Sequence, residues 1–168
     1  MNSDDESPAL MTAENARARL KYDASSGYMT WTTHKRRTML GTQAKSLDAA
    51  GYVQVCIKGK QFKGHRLAWL IYHGEWPAGD IDHINGIRTD NRIENLRVVT
   101  NAINCQNKRK ALPSSKTGIL GVVKVGERFH SSIYTNRKKT FLGSFDSAEQ
   151  AHAAYIAAKR QLHVGCTL

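Results

Sequence analysis

The chain has 168 residues, enough for one ordinary domain or two small ones. It carries 25 Lys and Arg against 14 Asp and Glu, a formal net charge of +11, which favours a polyanionic partner because cations laid on phosphates release condensed counterions. No CxxC pair joins Cys56, Cys105 and Cys166 and no apolar run reaches membrane-spanning length, so a structural zinc, a disulfide framework and a membrane span are not expected.

The first 80 residues mix helix-like and strand-like patterns. A basic, polar stretch after the acidic start predicts a short helix, and alternation of apolar and polar residues with a Lys-Gly-Lys turn predicts a hairpin. A segment rich in Leu, Ala, Trp and Ile predicts a mostly buried helix that ends at Gly74. In chain order these elements are Ala13–Tyr22, a turn into a strand at Gly27–Trp31, the hairpin Gly51–Ile57 with Gln61–Lys63, and the helix His65–His73.

The segment from Asp80 to Lys110 differs in kind from what precedes it. Two short strands, Ile81–Ile84 and Asn95–Val99, enclose a polar loop of Asn and Asp residues. A helix follows from Asn101 to about Lys110, with Thr100 placed to cap it. Such a unit buries little apolar surface, so we expect its polar loop to serve chemistry.

Four side chains of this segment suit phosphodiester hydrolysis, which needs a base for the attacking water and a cation for the leaving oxygen. His83 titrates near neutrality and suits the base, whereas the oxygens of Asp82 and Asn104 suit a hard divalent ion. Neighbours on a strand point to opposite faces, so Asp82 and His83 can serve opposite sides of a phosphate. Taken singly, Asp82, His83, Asn95 and Asn104 are more often turn, cap or loop residues.

The stretch IDHINGIRTDNRIENLRVVTNAINCQN, residues 81–107, resembles the HNH homing endonucleases with a ββα-metal site, especially the phage and intron-encoded branch. The similarity extends over about Tyr22–Asn107. It implies His83 as the general base, Asp82 as a metal ligand, and Asn95 as the residue that braces the loop and orients the histidine. The last ligand, His in many members, falls on Asn104, which implies a single Mg²⁺ or Mn²⁺ rather than Zn²⁺.

The remainder of the chain predicts a linker, three antiparallel strands and one helix. Residues 111–117 form the linker, and the strands are Ile119–Val125, Arg128–Thr135 and Lys138–Leu142. Ser147 and Gln150 can cap the helix. Its apolar stripe is formed by Ala151, Ala154, Tyr155, Ala158 and Leu162.

This C-terminal part resembles the plant ethylene-response-factor (APETALA-type) DNA-binding domain, through Gly121-Val122, Leu142-Gly143, Phe145-Asp146 and the Ala-rich helix. In that family the sheet enters the major groove. Alternation then directs Phe129, Ser131 and Ile133 toward the helix. The DNA-facing residues are predicted to be His130, Ser132, Tyr134, Lys139 and Phe141, with Lys124 and Arg128 near the first turn. Fewer Arg and Trp lie here than in the plant proteins, so apolar or backbone contacts are expected in place of bidentate Arg readout.

We therefore predict an α+β fold: a small ββα-metal unit with preceding hairpins and a helix, then a three-stranded antiparallel sheet packed on one helix. The predicted boundaries are 1–22 for an acidic tail and short helix, 23–110 for the nuclease domain, 111–117 for the linker and 118–168 for the APETALA-like domain. We expect the protein in the cytoplasm, or in the host cytoplasm if phage-encoded, with no membrane and no obligate protein partner.

The predicted function is metal-dependent, sequence-directed cleavage of double-stranded DNA. Two alternatives stay open: a non-catalytic DNA-binding regulator derived from such a nuclease, and a protein that binds or cleaves RNA. The predicted DNA contacts are Arg66, Arg88, Arg92, Arg97, Lys108, Arg109, Lys124, Arg128, His130, Ser132, Tyr134 and Lys139.

Overall fold

A computed structural model describes residues 11–106, 110–112, 114–135, 138–163 and 166. The contacts divide the chain into two compact units, Met1–Val99 and Thr100–Leu168. The fold is mixed α+β, as predicted. The acidic start at residues 1–10 and the predicted DNA contacts Lys108 and Arg109 lie outside the described residues.

Small antiparallel sheets and two helices make up the first unit. One sheet pairs β1 with β2, and another pairs β6 with β7. In the third sheet β4 is the central strand, with β3 on one side and β5 on the other. The elements are α1 Ala13–Arg17, β1 Leu20–Tyr22, β2 Met29–Trp31, β3 Ser46–Leu47, β4 Val53–Ile57, β5 Lys60–Lys63, α2 Gly64–His73, β6 Asp80–His83 and β7 Leu96–Val99.

The predicted hairpin and the predicted second helix are confirmed in the first unit. The helix ends at Gly74, whose φ of 88° is the left-handed conformation of a glycine C-cap. The first helix is shorter than predicted, because it ends at Arg17 and the chain then enters β1. Pairing of β1 with β2 buries Leu20 and Met29 together in the core, and this tertiary contact overrides the helical pattern.

Helix α2 connects the core of the first unit to its last hairpin. Leu67 and Leu70 on α2 belong to the main hydrophobic core. Ala68 packs instead with Ile81 of β6 and Leu96 of β7, forming a second buried cluster. Buried apolar side chains of the size of Ile and Leu each contribute about 2 kcal/mol, so the β6–β7 hairpin is fixed to α2 by its own apolar contacts.

The second unit contains α3 Asn101–Gln106, β8 Val122–Val125, β9 Arg128–Thr135, β10 Lys138–Phe145 and α4 Ala148–Leu162. The strands form one antiparallel sheet with β9 in the centre. β8 begins three residues later and β10 ends three residues later than predicted, and a register shift between Phe141 and Gly143 adds an irregularity to β10. The three-stranded sheet and single helix are confirmed.

Helix α4 begins as predicted, and its buried stripe differs from the predicted one at the C-terminal end. The Ser147 hydroxyl accepts a hydrogen bond from the backbone N–H of Gln150 at 3.2 Å. Ala151 and Tyr155 are buried, whereas Leu162, expected in the stripe, is 48% exposed. Lys159 is buried instead, with its ammonium 6.0 Å from the Tyr155 ring centre. The long aliphatic stem of a lysine can cover apolar surface in place of the expected leucine.

Candidate active site

The β6–β7 hairpin presents Asp82 and His83 as consecutive residues at its end. Asp82 lies opposite Arg97, and His83 lies opposite Leu96. Both side chains are buried, with exposed fractions of 7% for Asp82 and 4% for His83. Because adjacent strand residues point to opposite faces, the two groups have separate surroundings.

Arg97 is the cross-strand partner of Asp82. Its Nε and Nη2 atoms donate hydrogen bonds to Asp82 Oδ2 at 3.0 and 2.7 Å. The sequence predicts Arg97 as a phosphate contact, and the structure places its guanidinium directly on the carboxylate. A positive charge thus stands within the site beside Asp82.

The contacts of the His83 ring include a hydrogen bond to an amide and packing against two other rings. Its Nε2 lies 3.2 Å from Oδ1 of Asn91. The ring of His65 packs edge-on at 5.2 Å between centroids, and Tyr52 packs at 5.9 Å. Burial lowers the pKa of His83, partly offset by the Asn91 hydrogen bond and the charge of Asp82. The ring is therefore neutral at neutral pH, which is the form a general base needs.

Asn95 spans the polar loop between the two strands. Its Oδ1 accepts from the backbone N–H of Asn85 at 2.9 Å, and its Nδ2 donates to the carbonyl of Asp90 at 2.8 Å. Both ends of the loop are thereby tied to one buried amide. The side chain has the loop-bracing geometry that the resemblance implies, but the amide that contacts the His83 ring belongs to Asn91.

Asp90 is a second anchor of the loop that the sequence did not reveal. Its carboxylate accepts hydrogen bonds from Arg92 Nε and Nη2 at 2.9 and 2.8 Å, and from Asn85 Nδ2 at 2.6 Å. The bonds from Arg92 lower the pKa of Asp90 to about 2. The signal in the sequence for this anchor is the Asp-x-Arg spacing, because an Asp side chain often accepts a hydrogen bond from the backbone N–H two residues on. Here the backbone N–H of Arg92 donates to Asp90 Oδ1 at 3.3 Å.

His65, at the start of α2, is also part of this site. Its ring is 8% exposed, and its Nδ1 is buried without a hydrogen bond to any group in the described part of the chain. Burial lowers the pKa of His65 to about 3, so the ring is neutral. No spacing pattern in the sequence links His65 to His83.

Residues 62–106 match the family model described as HNH endonuclease. This stretch is an HNH endonuclease domain. Neither the curated proteins nor the solved structures gave a match to the chain.

The matched stretch runs from the end of β5 through α3 and includes Asp82, His83, Asn95 and Asn104. The match supports a nuclease that acts on DNA. The assignment of individual roles to those four residues remains a prediction, as does the resemblance of residues 118–168 to the APETALA-type domain.

HNH nucleases usually use a divalent metal ion. The side chains of the site can therefore be compared with the ligands that such an ion requires. Among the described residues, no group of three or more His, Cys, Asp and Glu side chains is arranged to hold a metal ion. Magnesium does not require one, because it keeps several waters and binds through one or two carboxylates and substrate phosphates. The Asp82 carboxylate fits that chemistry. The second predicted ligand, Asn104, lies on α3 in the second unit.

The other cations predicted to bind DNA near the HNH site have partners within the first unit. Arg66 donates to the Gly79 carbonyl at 3.2 Å, and Arg88 lies 4.9 Å from the Tyr52 ring centre. Arg92 bridges Asp90 and the exposed Glu94. Their charges remain part of the local field, so long-range attraction of a polyanion is retained even where a side chain is committed to the fold.

In the second unit, the sheet face opposite the buried Ser131 and Ile133 carries exposed rings and cations. Tyr134 is 63% exposed and Phe141 is 60% exposed. Register places Lys139 beside Tyr134. We call His130, Ser132, Tyr134, Lys139 and Phe141 the outer sheet face.

The two cations predicted near the first turn, Lys124 and Arg128, have partners within the second unit. Lys124 pairs with Phe129, and its ammonium lies 5.8 Å from the centre of that ring. Alternation along β8 makes Val123 and Val125 the outward residues. Arg128 donates to Ser144 and forms an ion pair with Asp146 at 3.0 Å.

The anchoring role of Asp90 gives a stability prediction. Replacing Asp90 with Asn should lower the free energy of unfolding of the first unit by about 2 kcal/mol at neutral pH. Because the folded pKa is about 2, below the unfolded value, the contribution is complete above the unfolded pKa and disappears as pH falls through the folded pKa. Urea unfolding followed by tryptophan fluorescence reports on this unit alone, since Trp31, Trp69 and Trp76 all lie within it.

Glu94→Gln is the matched control, because Glu94 also pairs with Arg92 but its side chain is 71% exposed. It should change stability by less than about 0.5 kcal/mol. Equal effects of the two substitutions, or an Asp90→Asn effect that persists at the lowest pH, would show that Asp90 does not anchor the loop.

Proposed function

We propose that the protein is a metal-dependent endonuclease of the homing type that hydrolyses double-stranded DNA at selected sites. The observation that carries this proposal is the buried, neutral His83 ring beside the Asp82 carboxylate, on a hairpin whose loop is tied by Asn95, within the HNH domain. A base and an acidic metal ligand on adjacent strand positions are what attack on a phosphodiester requires.

In this proposal, His83 takes a proton from the attacking water as its oxygen bonds to phosphorus. The bond from phosphorus to the 3′ oxygen breaks, and that oxygen takes a proton from solvent water, leaving a 5′-phosphate and a 3′-hydroxyl. Asp82 and, by resemblance, Asn104 would hold the divalent ion, which would supply positive charge to stabilise the departing oxygen. Arg97 keeps its contact with Asp82 and contributes positive potential where the phosphate approaches.

The test uses end-labelled duplex DNA and single-stranded RNA of the same sequence, each incubated with the full-length protein and Mg²⁺. We expect cleavage of the duplex and products that DNA ligase can reseal, as 5′-phosphate and 3′-hydroxyl ends require. Cleavage of RNA alone would replace this proposal with the RNA-directed alternative. DNA binding without any cleavage would favour the non-catalytic regulator.

Target selection is assigned in this proposal to the outer sheet face of the second unit. Exposed aromatic rings beside basic groups on a twisted sheet suit contact with a DNA groove, where cations bind phosphate and rings contact base edges or sugars. The same face is too apolar for a purely solvated surface, with Tyr134 and Phe141 both more than half exposed.

Lys139 provides a quantitative test of this surface. Changing Lys139 to Gln should lower the slope of log K against log salt by about 0.9, the contribution of one neutralised phosphate. Arg160→Gln is the control, because Arg160 is an exposed cation on α4 rather than on the sheet. Binding of duplex DNA measured by fluorescence anisotropy over a salt series separates the two. Identical slopes for both variants would remove Lys139 and its face from the DNA interface.

A further inference from the structure

The Asn91 side chain contacts the His83 ring through its amide oxygen, with Oδ1 at 3.2 Å from Nε2. An amide oxygen can only accept, so Nε2 of His83 must donate to Oδ1 of Asn91. In a neutral imidazole one nitrogen carries the proton and the other the lone pair. The contact therefore places the lone pair on Nδ1.

Asn91 is buried and enclosed from several sides, so its contact with His83 is part of the fold. Asn91 is 2% exposed. The Tyr22 hydroxyl donates to its backbone carbonyl at 2.7 Å. A Cβ added at Gly27 would lie 2.6 Å from the Asn91 carbonyl carbon, and one added at Gly64 would lie 3.0 Å from Nδ2. Gly27 also has a φ of 74°, so both its conformation and its closeness to Asn91 favour glycine.

The rings around His83 complement this arrangement. His65 and Tyr52 contact the imidazole through ring packing, which limits its rotation but does not specify the protonated nitrogen. Asn95 binds the loop backbone at Asn85 and Asp90. The resemblance implies that Asn95 both braces the loop and orients the histidine. Here Asn95 binds the loop backbone, and the contact with the His83 ring is made by Asn91.

We propose that Asn91 is a positioning residue that holds His83 in the Nε2-protonated form and so makes Nδ1 the nitrogen that accepts the proton from water. This inference rests on the proposed function of His83 as general base. It specifies the reacting atom and the residue that selects it.

Two variants separate this role from packing. Asn91→Leu keeps the approximate shape and removes the acceptor, whereas Asn91→Asp keeps an oxygen acceptor in place. We expect the single-turnover cleavage rate of Asn91→Leu to fall about 10²-fold, at the lower end of a general base's contribution, while that of Asn91→Asp stays within about tenfold of wild type. The dissociation constant for DNA should change less than about threefold in both, since the contact acts on the chemical step.

A spectroscopic readout is independent of cleavage. In the full-length protein with ¹⁵N-labelled histidine, the His83 signals are assigned by their loss in His83→Gln. At a pH where the ring is neutral, we expect the proton on Nε2 in wild type and Asn91→Asp, and a mixture of forms in Asn91→Leu. A proton on Nδ1 in the wild type overturns the inference without any variant, even if Asn91→Leu fails to fold.

The outcomes also separate this inference from the proposed function. If His83→Gln cleaves DNA like wild type, His83 is not the base and the proposed mechanism fails. If His83→Gln is inactive but Asn91→Leu cleaves normally, only the role of Asn91 fails. Equal losses in Asn91→Leu and Asn91→Asp, with the Nε2 form retained in both, would also contradict it.

Discussion

Replacing His83 with alanine is expected to reduce the rate of DNA cleavage by about 10²–10⁴-fold, the usual contribution of a general base. Binding of DNA should be almost unchanged, because a base acts on the transition state and adds little to ground-state affinity. Single-turnover cleavage of a labelled duplex gives the rate, and anisotropy of the same duplex without Mg²⁺ gives the affinity.

His73→Ala is the matched control for this substitution. His73 is an exposed histidine at the end of α2 that packs against Trp69, outside the loop and hairpin that form the site. It should cleave at the wild-type rate. A loss below about tenfold in His83→Ala would be too small for a general base and would assign the proton transfer to another group.

Replacing Asp82 with alanine is expected to lower cleavage by about 10³-fold, because several kcal/mol of charge stabilisation in the transition state depend on the bound ion. Binding of Mn²⁺ to the protein, followed by electron paramagnetic resonance, should weaken in parallel. Asn104→Ala should have the same direction of effect, whereas Asn104→Asp keeps an oxygen ligand and should retain Mn²⁺ binding.

Glu94→Gln serves as the control for loss of a carboxylate near the site, since Glu94 pairs only with Arg92 among the contacts resolved for it. It should bind Mn²⁺ and cleave DNA like the wild type. Full Mn²⁺ affinity in Asp82→Ala would mean that the ion is held elsewhere. Normal binding and cleavage in Asn104→Ala would remove Asn104 from the ligand set while leaving Asp82 in it.

The sequence predicted those features that depend on local pattern. Alternation and a Lys-Gly turn predicted the hairpin of β4 and β5, and a buried apolar run ending at Gly74 predicted α2. The adjacency of Asp82 and His83 is itself a sequence fact, and a strand there necessarily turns the two side chains to opposite faces.

Other features depend on contacts between distant segments, which no local pattern encodes. Asn91 reaches His83 because the loop folds back, with the Tyr22 hydroxyl bound to its backbone carbonyl and Gly27 and Gly64 leaving room beside it. His65 meets His83 because Ala68 fixes the hairpin to α2. The path of the loop follows from its hydrogen bonds, which periodicity cannot predict.

In the C-terminal unit, alternation along β9 correctly separated Ser131 and Ile133 from His130 and Tyr134. The partner of Lys124, which was predicted only to lie near the first turn, depends on the register between β8 and β9, where it pairs with Phe129. Burial of Lys159 in place of Leu162 reflects the aliphatic length of lysine, which a scale of residue hydrophobicity does not include.

Incubation of the full-length protein with supercoiled plasmid tests the central claim most directly. We expect relaxed or linear DNA in Mg²⁺, intact plasmid when EDTA is added, and intact plasmid with His83→Ala under the conditions in which wild type cleaves. Cleavage that persists in EDTA, or that His83→Ala performs at the wild-type rate, would contradict a metal-dependent nuclease whose base is His83.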